Sequence, residues 1–193
     1  MLESAGEPAK LKRYALTGAP GAGKTAIVRR LAVEGFKVVD EAATDIIAAK
    51  QAQGVEEPWA RHAFIDEIVE LQRTRLLESA NGSGEVQFHD RSVFCTAALS
   101  DYLVYPRSLT LRNELERAVT QCWFEREVFF IRSLGFVTPT AARRISFEEA
   151  IRFERMHEEV YREFGFAIVF VEPASVTDRA SQIKAFVRAG HGS

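Results

Sequence analysis

Short apolar runs alternate along the chain with longer stretches in which apolar residues recur at helical spacing. The short runs are typical of buried strands, and they lie at residues 13–18, 36–41, 85–90, 126–132 and 166–172. The stretches between them carry one apolar face each, which is typical of packed helices. This order predicts an α/β fold, in which a five-stranded parallel sheet is covered by helices on both faces.

The helical pattern also sets the expected bounds of the elements. Helices are predicted at residues 24–35, 42–53, 56–80, 91–103, 111–122, 146–165 and 175–189. The sequence Ser-Phe-Glu-Glu at residues 146–149 is a capping box, which marks a helix start. Residues 133–145 have mixed composition and are predicted to form a lid loop. We expect a flexible tail at residues 1–12 and one domain at residues 13–190.

Composition narrows the class of protein. A chain of 193 residues suits one well-buried domain. The net charge of −2 gives no bulk field that favours nucleic acid or a membrane. Cys95 and Cys122 lie in apolar surroundings and are expected to be buried, reduced thiols. With no apolar run of signal-peptide or membrane-spanning type, these features predict a cytoplasmic protein without nucleic-acid or membrane partners.

Residues 18–25, GAPGAGKT, match the phosphate-binding pattern G-x-x-x-x-G-K-[ST] and lie between a predicted strand and a predicted helix. Glycines let backbone N–H groups approach phosphate oxygens, and the helix adds its positive end. Lys24 is expected to bridge the outer phosphates of ATP, and Thr25 to offer its hydroxyl to Mg²⁺. The predicted cofactor-binding residues of this loop are Gly18, Ala19, Pro20, Gly21, Ala22, Gly23, Lys24, Thr25 and Ala26.

Polar residues follow the neighbouring strands, where ligands bind in a doubly wound sheet. Asp90 is expected to help hold Mg²⁺, to cap the next helix, or to do both. Glu41 is the expected base for a phosphate acceptor, with the alternative that it only begins a helix; strand alternation turns Asp40 to the other side. Arg91 is either a clamp for the acceptor or part of a surface ion pair.

Two further loops complete the expected site. In the lid, Arg143 is expected to stabilise charge on the transferring phosphate and Arg144 to contact the nucleotide, unless both are solvated charges. Pro173 follows the last strand, where the loop is expected to border the nucleotide base. The chain contains no Asn-Lys-x-Asp sequence, which reads guanine, so ATP is favoured over GTP.

Four segments, GAPGAGKT, VVDEAA, FHDRS and ARRISFEEA, resemble the NadR-type AAA-domain family of P-loop ATPases. That family is similar to nicotinamide riboside kinase and to deoxynucleoside kinases. The resemblance covers residues 13–188 and implies a three-layer P-loop fold, with Glu41 as base for a sugar hydroxyl and Arg91 beside it. It also implies that Gln72 and Arg73 approach the acceptor, against the alternative that they form a polar outer face.

The sequence departs from that family at two positions. Family members often carry arginine at the position of Thr44 and an acidic residue at the position of Thr140. If that arginine binds substrate in relatives, the acceptor of this chain differs from theirs.

Together these residues favour an ATP-dependent kinase that phosphorylates a hydroxyl of a small, nucleoside-like metabolite. The alternative is a nucleotide-dependent ATPase or GTPase switch that regulates a partner protein, which needs the loop and Asp90 but not Glu41. A kinase acting on a macromolecule is a third alternative. The sequence leaves the acceptor and the oligomeric state open.

Overall fold

The computed structural model describes residues 11–80, 85–134 and 146–190, whose strands form one sheet. All neighbouring strands are parallel, in the order β2-β3-β1-β4-β5. The strands are β1 Lys12–Thr17, β2 Lys37–Val39, β3 Val86–Asp90, β4 Glu127–Ile131 and β5 Ala167–Val171. The predicted five-stranded parallel sheet is therefore confirmed.

In the described part of the chain, seven helices connect and cover the strands. They are α1 Lys24–Val33, α2 Ala42–Ala52, α3 Ala63–Ser79, α4 Val93–Tyr102, α5 Leu109–Thr120, α6 Phe147–Glu163 and α7 Val176–Ala189. The capping box of α6 forms as expected: the Glu149 N–H donates to the Ser146 hydroxyl, and the Ser146 N–H donates to the Glu149 carboxylate.

The sheet separates two apolar layers, because neighbouring residues of a strand point to opposite faces. Tyr14 and Leu16 of β1 pack in a core with α1 and α7. Ala15, between them, packs in the other core with α3, α4, α5 and α6. Helices therefore lie on both faces of the sheet, which gives the three-layer architecture predicted from the sequence.

Two local predictions were wrong. The helix expected at residues 56–80 is interrupted: Pro58–Ala60 form one 3₁₀ turn, Arg61 is extended, and α3 begins only at Ala63. Proline fixes its own φ and favours the first turn of a helix, so Pro58 starts a separate short turn. Cys95 is buried as expected, but Cys122 is exposed, with φ +48°, at the end of α5.

The strand order brings the candidate residues to one edge of the sheet. Leu16, near the end of β1, pairs with Asp90 of β3 on one side and with Phe129 of β4 on the other. The loop at residues 18–25 therefore leaves the centre of the sheet beside Asp90. Among the described helices, none is long and apolar enough to cross a membrane.

Candidate active site

The loop at residues 18–25 has the backbone conformation that its glycines allow. Gly18, Gly21 and Gly23 have φ of +122°, +83° and +88°, in the region that favours glycine. A Cβ on Gly18 would lie 2.3 Å from the Ile131 carbonyl oxygen, so only glycine fits beside β4. The loop then enters α1 at Lys24, and the positive end of that helix faces it.

Lys24 lies inside this loop, where its side chain is buried. The ammonium group donates hydrogen bonds to the carbonyl oxygens of Gly18, at 3.0 Å, and Ala19, at 2.7 Å. Burial, reinforced by repulsion from the Arg91 guanidinium, lowers the pKa of Lys24 to about 7. An anion bound in the loop would favour the charged form of this side chain.

Thr25 and Asp90 meet across the base of the loop. The Thr25 hydroxyl donates to Asp90 Oδ2 at 2.7 Å. Asp90 Oδ1 is buried and has no hydrogen-bond partner among the described residues. Burial raises the pKa of Asp90, and the Glu41 carboxylate adds to that effect. The N-cap of α4 is Ser92 rather than Asp90, so helix capping does not account for this carboxylate.

Glu41 and Arg91 form an ion pair at the ends of β2 and β3. Arg91 Nε donates to Glu41 Oε1 at 2.5 Å, and the Thr44 hydroxyl donates to Glu41 Oε2 at 2.6 Å. Glu41 is the N-cap residue of α2, but its side chain makes no capping hydrogen bond. Burial alone would raise the pKa of Glu41; Arg91 and Thr44 outweigh it and the pKa is lowered. Glu41 is therefore ionised near neutral pH.

The pair is partly shielded from solvent, and Arg91 is held in an unusual conformation. The exposed fractions of the Arg91 and Glu41 side chains are 11% and 15%, so this is not a surface ion pair. Arg91 has φ +79°, which is costly for a residue with a side chain and is found most often at functional sites. The Arg91 N–H donates to the Leu16 carbonyl at 3.1 Å, which holds this turn against β1.

His157 of α6 holds the Arg91 side chain in place. Arg91 Nη1 donates to His157 Nε2 at 2.9 Å, because the guanidinium has only donors. His157 Nδ1 then carries the ring proton and donates to the Phe153 carbonyl at 2.8 Å. Burial and the Arg91 charge lower the pKa of His157 well below its usual value. A neutral imidazole therefore orients the guanidinium towards Glu41.

The ion pair lies in the wall of a cavity of about 320 Å³. Its apolar walls come from α2, α3, α4, α6 and the 3₁₀ turn. Besides Pro20, Glu41, Thr44, Gln72 and Arg91, the lining includes Ile47, Trp59, Phe64, Ile68, Leu99, Tyr102, Leu103 and Phe153. Pro20 belongs to the glycine-rich loop, so the cavity and the loop share a boundary.

Gln72 is the amide that sequence reasoning placed near an acceptor, and it lines this cavity. The Thr96 hydroxyl donates to Gln72 Oε1 at 2.9 Å, which leaves the amide NH₂ as the group with hydrogen-bonding capacity to spare. Arg73 does not line the cavity. Its side chain is about half exposed and lies 4.0 Å from Glu114 of α5, in agreement with the outer-face alternative for that residue.

The remaining predicted positions lie elsewhere. Pro173 is exposed in the loop between β5 and α7, at the carboxyl edge of the sheet. Asp40 is exposed and does not line the large cavity, whereas Glu41 does. Both residues follow β2, which ends at Val39, so strand alternation is not the reason for this difference. Ala26 is exposed in the first turn of α1. The predicted lid residues Arg143 and Arg144 lie outside the described residues.

Sequence reasoning missed His157 and the aromatic walls of the cavity. His157 follows Phe153 by four residues, so the two share one face of α6, and this spacing was an available signal. No helical spacing pointed to Trp59 as part of the cavity wall, because the segment predicted to be helical there forms a 3₁₀ turn. The sequence marks Thr44 only as a departure from relatives, whereas in the structure its hydroxyl donates to the Glu41 carboxylate and holds it in place.

Comparison with known proteins agrees with this architecture. Residues 13–179 match the model of a family described as an AAA domain. Deoxyadenosine kinase from M. mycoides with bound dATP superposes with a TM-score of 0.61 at 15% identity, covering 91% of this chain and 99% of that one. A NadR protein in complex with NAD and AMP-PNP gives a TM-score of 0.66 at 17% identity, covering 91% of this chain and 48% of that one. No curated protein matches the chain in sequence.

Proposed function

Since the chain belongs to the AAA-domain family, we propose that it is an ATP-dependent phosphotransferase that transfers the terminal phosphate of ATP to a hydroxyl of a small, nucleoside-like metabolite. One observation carries the proposal: the Glu41 carboxylate lies in the wall of a cavity that Pro20 of the phosphate loop also lines. A phosphate in the loop and a hydroxyl in the cavity would therefore meet beside a carboxylate.

The nucleotide end of the reaction is assigned to the glycine-rich loop. Its backbone N–H groups and Lys24 bind the phosphates of ATP, and Lys24 exchanges its carbonyl partners for phosphate oxygens. The solved structures with bound dATP and with AMP-PNP support a nucleoside triphosphate as ligand of this fold. Arg143 and Arg144, in the segment predicted to form a lid, and Pro173, predicted to border the base, remain part of the proposal.

Thr25 and Asp90 fit a magnesium site. The Thr25 hydroxyl and the Asp90 carboxylate are in contact, and Asp90 Oδ1 has unused acceptor capacity. Mg²⁺ in phosphate sites takes one or two protein oxygens and completes its shell with phosphates and waters. When bound here, the ion would neutralise phosphate charge.

At the acceptor end, Glu41 is the proposed base. The acceptor hydroxyl oxygen forms a bond to the terminal phosphorus while the bond from that phosphorus to the ADP oxygen breaks. The hydroxyl proton passes to Glu41, whose carboxylate has unused acceptor capacity beyond the hydrogen bonds from Arg91 and Thr44. Arg91 holds the carboxylate in place, and Gln72 and the aromatic walls bind the rest of the acceptor.

The experiment that tests this function is a screen for ADP release across a panel of nucleosides and other hydroxylated metabolites. We expect ADP release from Mg-ATP to rise when a nucleoside-like acceptor is added to the wild-type protein. The Lys24→Ala variant should show no such rise. Slow hydrolysis that is the same with every acceptor of a broad panel would exclude the kinase and favour a switch.

Replacing Asp90 with asparagine should weaken magnesium binding while leaving the Thr25 contact possible. We expect the Mg²⁺ concentration that gives half-maximal tightening of ATP binding to rise about tenfold. Calorimetric titration of ATP at increasing Mg²⁺ measures this shift without relying on turnover. ATP affinity without Mg²⁺ serves as the control and should change much less; an unchanged Mg²⁺ dependence would exclude Asp90 from the metal site.

The lowered pKa of Lys24 predicts proton uptake on nucleotide binding. In the free protein Lys24 is mostly neutral above its pKa of about 7, whereas bound phosphates favour the ammonium form and raise that pKa. At pH 8 binding should therefore take up about one proton per nucleotide, and affinity should fall as pH rises above 7. Calorimetry in two buffers of different ionisation enthalpy measures the uptake.

The same titration at pH 6 is the internal control, because Lys24 is charged there in both states. Equal binding heats in the two buffers at pH 8 would contradict the assignment of Lys24 to the phosphates.

A further inference from the structure

Arg179 of α7 is a buried cation with no assigned role in the proposed reaction. Its side chain has an exposed fraction of 1%, among the lowest of the charged residues described. Its hydrogen-bond partners in the described part of the chain are backbone carbonyls rather than carboxylates. Burying a charge without a counter-ion lowers the stability of the folded protein. A contribution to function would explain why an arginine occupies this position.

The two arms of the guanidinium connect the phosphate loop to the end of β4. Arg179 Nη1 donates to the Ala22 carbonyl of the phosphate loop at 2.9 Å. Nη2 donates to the carbonyl of Arg132, the residue after β4, also at 2.9 Å. A Cβ on Gly23 would lie 3.3 Å from Nη1. The guanidinium therefore packs against the loop at Gly23.

The geometry of the Ala22–Gly23 peptide links the Arg179 hydrogen bond to the direction of the Gly23 N–H. The peptide bond between Ala22 and Gly23 is planar and trans, so its C=O and N–H point in opposite directions. Because the Ala22 carbonyl accepts from Arg179, the Gly23 N–H points away from Arg179. Lysine in place of Arg179 would carry the charge but not the rigid two-armed fork.

We infer that Arg179 is a positioning residue for nucleotide binding. It fixes the Ala22–Gly23 peptide so that the Gly23 N–H donates to a phosphate oxygen. It also places a second buried cation, besides Lys24, next to the phosphate loop. The inference rests on the proposed function for the identity of the ligand. It predicts that Arg179 acts on the affinity for Mg-ATP and not on the affinity for the acceptor.

The test compares Arg179→Met and Arg179→Lys with Ile183→Val, a matched control one turn further along the buried face of α7. Calorimetry gives the Kd for Mg-ATP, and thermal unfolding gives Tm with and without Mg-ATP. We expect Arg179→Met to raise the Kd about tenfold and to reduce the Tm increase produced by Mg-ATP, with an intermediate Kd for Arg179→Lys. Ile183→Val should lower Tm by about 3 °C and leave the Kd unchanged.

The outcomes separate this inference from the proposed function. A wild-type Kd in Arg179→Met, or in Arg179→Lys should the methionine variant not fold, would overturn the inference. So would a loss of affinity in Ile183→Val equal to that in the Arg179 variants, since the role would then be structural. Wild-type protein that binds Mg-ATP but phosphorylates no acceptor would overturn the proposed function alone. Failure of the wild-type protein to bind Mg-ATP would overturn both.

Discussion

Replacing Glu41 with glutamine is expected to lower the rate of acceptor phosphorylation about 10³-fold while Mg-ATP still binds. The amide keeps the size of the side chain but does not take up the hydroxyl proton, and general base catalysis contributes about 10²–10⁴ to such reactions. Steady-state kinetics with a responsive acceptor measures kcat, and calorimetry measures nucleotide binding. A nucleotide switch would bind and hydrolyse nucleotide equally well after this substitution, because it requires only the phosphate loop and Asp90.

Asp40→Asn is the matched control for that variant. It removes the neighbouring carboxylate, which is exposed and does not line the cavity, so wild-type kcat is expected. Glu41→Gln also leaves the Arg91 guanidinium without the Glu41 counter-ion, at a cost of about 3 kcal/mol in the free energy of unfolding. Retained Mg-ATP binding shows that the fold survives. A wild-type kcat in Glu41→Gln would show that Glu41 is not the general base.

Lys24→Ala is expected to reduce phosphotransfer about 10³-fold and to weaken Mg-ATP binding at least tenfold. The ammonium is the cation inside the loop, and its charge stabilises the outer phosphates most as the terminal phosphate is transferred. Initial-rate measurements over a range of ATP concentrations separate the effects on kcat and KM.

The free Lys24→Ala protein should remain folded, because within the described residues the ammonium donates hydrogen bonds only to the loop carbonyls of Gly18 and Ala19. Circular dichroism checks this. Lys50→Ala is the control substitution: Lys50 pairs with Glu67 between α2 and α3, away from the loop. Near-normal phosphotransfer in Lys24→Ala would mean that the loop does not hold the reacting phosphates.

The architecture was predictable because its signals are local. Each strand is a short apolar run, and the helices carry their own start and stop residues, such as Ser146 with its capping box. The phosphate loop was predictable because its conformation requires glycine: Gly18 lies too close to Ile131 for any side chain.

The rest of the site depends on contacts between residues far apart in sequence. Arg91 meets His157 across 66 residues, and Arg179 meets Ala22 across 157. Such pairings are set by helix packing, which sequence periodicity does not specify. Even so, Arg179 stands where an apolar residue belongs on the buried stripe that it shares with Ile183 and Val187. A charged residue in such a stripe is a signal that was available from the sequence.

The most direct test of the central claim follows the terminal phosphate itself. The wild-type protein is incubated with Mg-ATP labelled in its γ-phosphate and with the acceptor that stimulates ADP release, and the products are separated. The account predicts that the label appears on a hydroxyl of the acceptor, in amounts equal to the ADP formed. Label found only in inorganic phosphate, at a rate independent of the acceptor, would contradict it.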